Sequence, residues 1–305
     1  MRLMNGVDDA AQVAGYAGQA VVITGGTRGI GAGLARAFLR AGAQVLVCGR
    51  SDPADADPAG PAEPGESAEP GESGEPGQSG EPAQPGGGLP AADGRTAAFF
   101  RADVRDPEQA GRLIAAARDM FGRVDVVISN AGGSPQAAAA TASPRFHAKI
   151  IELNLVAPLH VAQSANAVMQ DQPHGGSIIL IGSVSGTRPS PGTAAYGAAK
   201  AGLHHLATTL AIEWGPKVRV NSVVPGFVVT EAADAHYGDA AETAAVAATV
   251  PLRRMATPED IAGACLFLAS PQASYVSGAT LALHGGGEAP AFLAAVQRSV
   301  YAPRD

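Results

Sequence analysis

The chain has 305 residues, 46% of them hydrophobic and 16% charged, with two cysteines and a formal charge of −7. No apolar run approaches the roughly 18 residues that cross a bilayer, and MRLMNGVDDAAQV carries two aspartates where a signal peptide would be greasy, so no membrane partner and a cytoplasmic location are expected. The acidity is local: residues 51–94 hold ten Asp and Glu with no Lys or Arg, leaving 18 acids against 21 bases elsewhere, and those bases form no aromatic-laced stripe that would fit nucleic acid.

In chain order, AVVIT (20–24) reads as a strand, followed by the turn TGGTRGIGAG and a helix through LARAFLRAG. AQVLVCG (43–49) reads as a second strand, ending at Gly49-Arg50. Next comes a six-residue repeat: EPGES at 63–67 and 69–73, EPGQS at 75–79, and a truncated EP at 81. Pro breaks helix and ladder, Gly raises the entropy of ordering and the glutamates repel, so residues 52–92 are expected to be a disordered surface insertion. TAAFF (96–100), VDVVIS (124–129), SIILI (177–181), VRVNSVV (218–224) and ATLAL (279–283) are further strands. Helix starts are marked by Asp106-Pro107 with Gln109, by Ser143-Pro144, and by Thr257-Pro258 with Glu259 and Asp260. Continuously apolar strands alternating with helices predict an α/β fold, a doubly wound parallel sheet of about seven strands flanked by helices. The insertion interrupts one domain, 1–305, and does not divide two.

Glycines in a turn between first strand and first helix let backbone N–H groups approach a pyrophosphate. At the end of the second strand, where a carboxylate would read the ribose of NAD, stand Gly49 and Arg50. Tyr196 and Lys200, four apart in a helical pattern, rise from one face, where an ammonium is expected to draw the phenol down toward neutral pH. Ser183, thirteen residues before Tyr196, leaves the strand SIILI after Gly182. Asn154 lies in IIELNLVAPLH, where Pro158 has no N–H for the Asn154 carbonyl and a kink is expected.

The spacing Gly25-x-x-x-Gly29-x-Gly31, with YxxxK and the Asn-Ala-Gly at 130–132, resembles the short-chain dehydrogenase/reductase family, including its 3-oxoacyl carrier-protein reductases. The resemblance covers nearly all of the chain outside the insertion and implies a Rossmann-type fold. It also implies a cofactor site, in which Gly25, Thr27, Arg28, Gly29, Ile30 and Gly31 hold the dinucleotide. Arg28 and Arg50 then favour NADP(H) over NAD(H). Asp103 and Val104 take the adenine, Asn130, Ala131 and Gly132 pass close to the cofactor, and Pro225, Gly226 and Thr230 match the PGxxxT loop at the nicotinamide. Four residues carry the catalytic expectation. Tyr196 transfers the proton, Lys200 tunes it and binds the nicotinamide ribose, Ser183 orients the substrate oxygen, and Asn154 holds a water of a proton relay.

The implied activity interconverts a carbonyl and a secondary alcohol of a small molecule. The family also suggests a homotetramer, or a dimer, built on the helices bearing Asn154 and Tyr196, to which the tail EAPAFLAAVQRSVYAPRD could contribute. Residues 231–250 read as a substrate lid, with His236 and Tyr237 as its candidate contacts. His204 and His205 are expected on the surface of the tyrosine helix or in subunit contacts, and Cys48 and Cys265 as buried thiols. No HExxH or carboxylate cluster offers a metal site, and no GxSxG elbow offers a hydrolase. Two alternatives stay open: a catalytically silent dinucleotide-sensing or scaffold protein of the same fold, and an epimerase or dehydratase of the extended branch.

Overall fold

The structure is a computed structural model and describes residues 15–52, 89–231 and 237–288. The bulk of the expected insertion, residues 53–88, the candidate His236 and the tail from 289 lie outside the described residues. Each apolar run becomes a strand: β1 (Ala20–Thr24), β2 (Gln44–Gly49), then β5 (Ala98–Arg101), β6 (Val126–Ser129), β7 (Gly176–Ile181), β8 (Val218–Pro225) and β9 (Thr280–Leu283). They form one seven-stranded sheet in the order β5-β2-β1-β6-β7-β8-β9, every pairing parallel. All strands therefore end at one edge. The order reverses between β1 and β6, the switch point where sheets of this kind leave a crevice.

The helices are α1 (Gly29–Arg40), α2 (Pro107–Phe121), α3 (Pro144–Ile151), α4 (Ala157–Asp171), α5 (Ala194–Trp214), α6 (Ala240–Thr249) and α7 (Pro258–Ala269). The proline starts are realised as expected. Asp106 accepts from the N–H groups of Glu108 and Gln109, Ser143 accepts from that of Phe146, and Thr257 forms a reciprocal box with Asp260. One apolar layer joins the sheet to α2, α4 and α5 through Leu113, Ile114, Val161, Met169, Leu203 and Ala207. A second joins the other face to α1 and α7 through Leu34, Phe38, Ile261, Cys265 and Leu268. Both cysteines are free and buried, and burial pushes the Cys48 thiol up to about 12. Among the described residues, no helix is long and apolar enough to cross a membrane.

Two local expectations need correction. Residues 89–92 belong to the folded chain: Leu89 packs on the second layer, and β3 (Ala91–Ala92) pairs antiparallel with β4 (Arg95–Thr96). Their turn is Asp93-Gly94, with φ of +52° and +73°, the doubly positive geometry that suits a tight hairpin. The kink at Asn154 is a π turn, Glu152–Val156, in which the Ala157 N–H reaches back to the Glu152 carbonyl. Pro158 follows directly and supplies no N–H, which accounts for the wider turn there.

Candidate active site

The loops at the strand-end edge converge on the glycine turn. Thr24 closes β1, and its Oγ1 accepts from the N–H groups of Asn130 and Ala131, while Asn130 Nδ2 donates to the carbonyls of Thr24 and Gly25. That lacing leaves no room at Gly31, where a Cβ would fall 2.1 Å from the Gly25 oxygen. Gly29 has a φ of +53°, which a side chain would strain. Its N–H donates to Glu231 Oε2 at 3.0 Å, and Thr230 lies beside it. The first turn of α1 thus already takes an anionic oxygen, so the residues present fit a dinucleotide pyrophosphate. Sequence reasoning missed Glu231, which follows directly on the PGxxxT threonine.

At the end of β2, a Cβ added at Gly49 would come into ordinary contact with Thr27 and Phe99, while Arg28 and Arg50 are exposed. A third arginine, Arg101, ends β5 opposite Gly49 and donates from Nε to the Arg50 carbonyl at 2.9 Å. Nothing in the sequence separates Arg101 from an ordinary surface charge; only the strand register places it here. Val104 is buried. Asp103, expected to meet the adenine amine, has its carboxylate engaged by Arg105 Nε at 3.0 Å, and that guanidinium holds it below the usual carboxylate range despite burial.

On the other side of the crevice, α5 carries Tyr196 and Lys200. Lys200 is 3% exposed; its Nζ donates to the Ile181 carbonyl at 2.8 Å and lies 5.6 Å from the centre of the Tyr196 ring. Burial depresses its ammonium from 10.5 to about 8. The expectation that Lys200 draws the phenol down is not met. Burial raises Tyr196, a hydrogen bond with Ser183 offsets part of that, and the nearby Tyr237 phenol adds to it. In this state Tyr196 is a protonated phenol at neutral pH, a donor.

Asn154 is fully buried at the π turn. Its Oδ1 accepts from the Gly133 N–H at 2.9 Å, and its Nδ2 donates to the carbonyls of Gly133 and Ile150. Gly132 is wedged between the two functional side chains: a Cβ there would fall 2.8 Å from Asn154 Oδ1 and 3.4 Å from Lys200 Nζ. Ser183 Oγ accepts from the Ser185 N–H. His204 is not on the surface. It is buried under this loop, its Nε2 accepting from the Ser183 N–H at 3.4 Å, against a Gly182 that has no room for a Cβ. Burial and the Lys200 charge lower its pKa, which keeps it neutral and able to accept. His205 is exposed, as expected. After β8, the Gly226 N–H donates to the Leu283 carbonyl, and Phe227 meets Tyr237 edge to face at 5.8 Å. The structure thus places Asn154 and Lys200 on either side of Gly132, with Tyr196 next to Lys200 and hydrogen-bonded to Ser183.

A parallel sheet with a phosphate-competent turn at its switch point, and a half-buried Tyr196 one turn from a buried Lys200, fit a dinucleotide-dependent oxidoreductase. A family model described as enoyl-(acyl carrier protein) reductase matches residues 89–288, and one described as short chain dehydrogenase matches residues 19–60. L-rhamnose 1-dehydrogenase (NAD(P)(+)) of Azotobacter vinelandii is 33% identical, over 87% of this chain and 95% of its own. A 3-oxoacyl-[acyl-carrier-protein] reductase of Chlamydia muridarum is 32% identical, over 88% and 96%. A solved short-chain type dehydrogenase/reductase from Mycobacterium ulcerans superposes with a TM-score of 0.73 at 26% identity, over 92% of this chain and 95% of that one. The chain belongs to the short-chain dehydrogenase/reductase family and is an oxidoreductase of the class that acts on CH–OH groups.

Proposed function

We propose that the protein is an NADP(H)-dependent oxidoreductase that interconverts a small-molecule carbonyl and a secondary alcohol, with Tyr196, Lys200, Ser183 and Asn154 as its working set. The observation that carries this is the convergence of a protonated Tyr196, hydrogen-bonded to Ser183, and a buried Lys200 ammonium beside Gly132. A nicotinamide dinucleotide, when bound, would supply or accept the hydride. The protein's share is to deliver the proton and to hold the oxygen that receives it. Tyr196 Oη gives its proton to the substrate oxygen in reduction, and Ser183 shares that oxygen's developing charge. Lys200, held at the Ile181 carbonyl, places a positive charge against the phenolate that results. Asn154 holds the loop through Gly133 on one side of the pair, and a water on the π turn is the proposed route by which the proton is replaced.

The preference for NADP(H) rests on Arg50 and Arg101, which meet at a strand end that has glycine in place of a carboxylate, and on Arg28 at the start of α1. The silent, cofactor-sensing alternative has no observation in its favour. Assembly as a homotetramer or dimer through α4 and α5 is part of the proposal; Ile212 on α5 is 85% exposed, an apolar side chain that such a contact would cover. The experiment is absorbance at 340 nm against a panel of ketones and alcohols with each cofactor, on wild type and Tyr196→Phe. Turnover faster with NADPH and abolished by the substitution is expected. A clear advantage for NADH, or full activity in the phenylalanine variant, overturns the corresponding half of the reading.

A further inference from the structure

The loop that carries Ser183 is seated on a histidine. Gly182 and Gly186 both close on His204 of α5: a Cβ at Gly182 would fall 2.3 Å from its Nε2, and one at Gly186 would fall 2.8 Å from its Cε1. The residue is 9% exposed. Of the backbone groups of Ser183, the carbonyl accepts from the Gly186 N–H at 2.9 Å, inside the loop. The N–H donates outside it, to His204 Nε2 at 3.4 Å. His204 thus ties the serine to the helix that carries Tyr196 and Lys200. An imidazole accepts at Nε2 only while it is neutral with its proton on Nδ1, whereas an imidazolium donates at both nitrogens. Protonation would set an Nε2–H against the Ser183 N–H, and the close approach of both glycines leaves ring and loop no slack to part.

We infer that His204 is a positioning residue for Ser183, and that the loop holds the serine at the reaction centre only while His204 is neutral, so that turnover has an acid limb set by this ring. The inference rests on the reading of Ser183 as the residue that shares the substrate oxygen's charge. Among the described residues, Lys200, one turn earlier on α5, is the charged group that acts on His204. The loop offers Gly182, Ser183 and Gly186, and β8 places the Ser222 hydroxyl beside Gly182; none of these titrates near neutral pH. Burial and the Lys200 ammonium hold His204 below its ordinary 6.5, so the neutral form prevails at pH 7 and the limb lies on the acid side of 6.5. Tyr196 is raised and Lys200 falls only to about 8, so neither supplies that limb.

Assigned nitrogen-15 NMR spectra of the whole protein, recorded from pH 8 down to 4.5, test the contact without any substrate. The Nδ1–H tautomer of His204 is expected at pH 8, with the Ser183 amide shifting at the same midpoint as the ring. Turnover is then followed over the same range with NADPH and the panel ketone that wild type reduces fastest. Wild-type kcat is expected to fall with that midpoint, on the order of 10- to 100-fold. Glutamine offers an amide oxygen that takes no proton in this range, so His204→Gln is expected to keep at least about a third of wild-type kcat at pH 7.5 and to lose the limb. His204→Leu has no acceptor and is expected to be slower on the order of 10- to 100-fold at every pH, with KM for NADPH within about two-fold of wild type. A Ser183 amide that ignores the titration of His204 overturns the inference, whether or not the variants fold. So does an acid limb that persists in His204→Gln, or a His204→Leu as fast as wild type. Coincident midpoints in a protein inactive toward every alcohol and ketone uphold the contact and overturn the oxidoreductase reading instead.

Discussion

Replacing Lys200 by methionine is expected to make the ligand-free protein inactive and more stable. The Lys200 side chain is 3% exposed, and burial lowers its ammonium from 10.5 to about 8. Below pH 8 the folded protein therefore holds a charge that the unfolded chain carries more easily. The gap between the two values, at about 1.4 kcal/mol per pH unit, sets a penalty of about 3 kcal/mol near pH 7. Because the folded value is the depressed one, the penalty is complete below pH 8, shrinks as pH rises from 8 toward 10.5, and vanishes above. Methionine fills a similar volume without charge, but it leaves the Ile181 carbonyl without its 2.8 Å donor, a loss of about 1 kcal/mol. The net gain is about 2 kcal/mol at pH 7 and close to zero at pH 10, read from urea unfolding at both pH values. Turnover falls on the order of 10²- to 10⁴-fold. A variant less stable than wild type at pH 7, or a gain that does not change with pH, would refute the argument.

Three further outcomes are expected from the same geometry. Glu231→Gln removes the carboxylate that competes for the first turn of α1, so NADPH is expected to bind about 2- to 5-fold more tightly in a fluorescence titration, with a smaller difference at high salt; weaker binding counts against it. Gly132→Ala pushes a methyl between Asn154 and Lys200, which is expected to cost about 1–3 kcal/mol in thermal unfolding and to lower kcat on the order of 10- to 100-fold; a fully active, equally stable variant would show that the wedge yields. Deleting residues 54–88, which spares β3, is expected to change KM for NADPH less than about two-fold at physiological salt, where the Debye length is about 8 Å; a large loss that persists at high salt would assign the repeats a role.

The seven strands were legible because a strand covered on both faces has to be apolar throughout, and the proline-marked helix starts were legible because the cap and the proline are adjacent in sequence. The β3–β4 hairpin was missed although Asp93-Gly94 carries its signal; two-residue strands of Ala, Arg and Thr show no periodicity to support it. At the site, residues whose role is local to a motif were readable, as with Tyr196 and Lys200 on one helical face. Residues whose role depends on depth or on distant neighbours were not. His204 looks like any polar residue on an alanine-rich helix until Gly182 and Gly186 let the loop close over it. The sign of the Tyr196 shift depends on how far the pair is buried, and no spacing encodes that. Asp103 was legible as a position, but its pairing with Arg105 was not.

The π turn at Glu152–Val156 bears on how the chain could be altered in length. A π turn closes one residue later than an α turn, so this segment holds one residue more than an uninterrupted helix would need. Excising a single residue there would let α3 and α4 join as a regular helix with their faces nearly in register, so the change would stay local. Asn154, which sits in the wide turn, would lose its grip on Gly133, and Pro158 would set its ring against the preceding turn. A shortening by one residue would here cost the crevice its asparagine and leave the sheet standing.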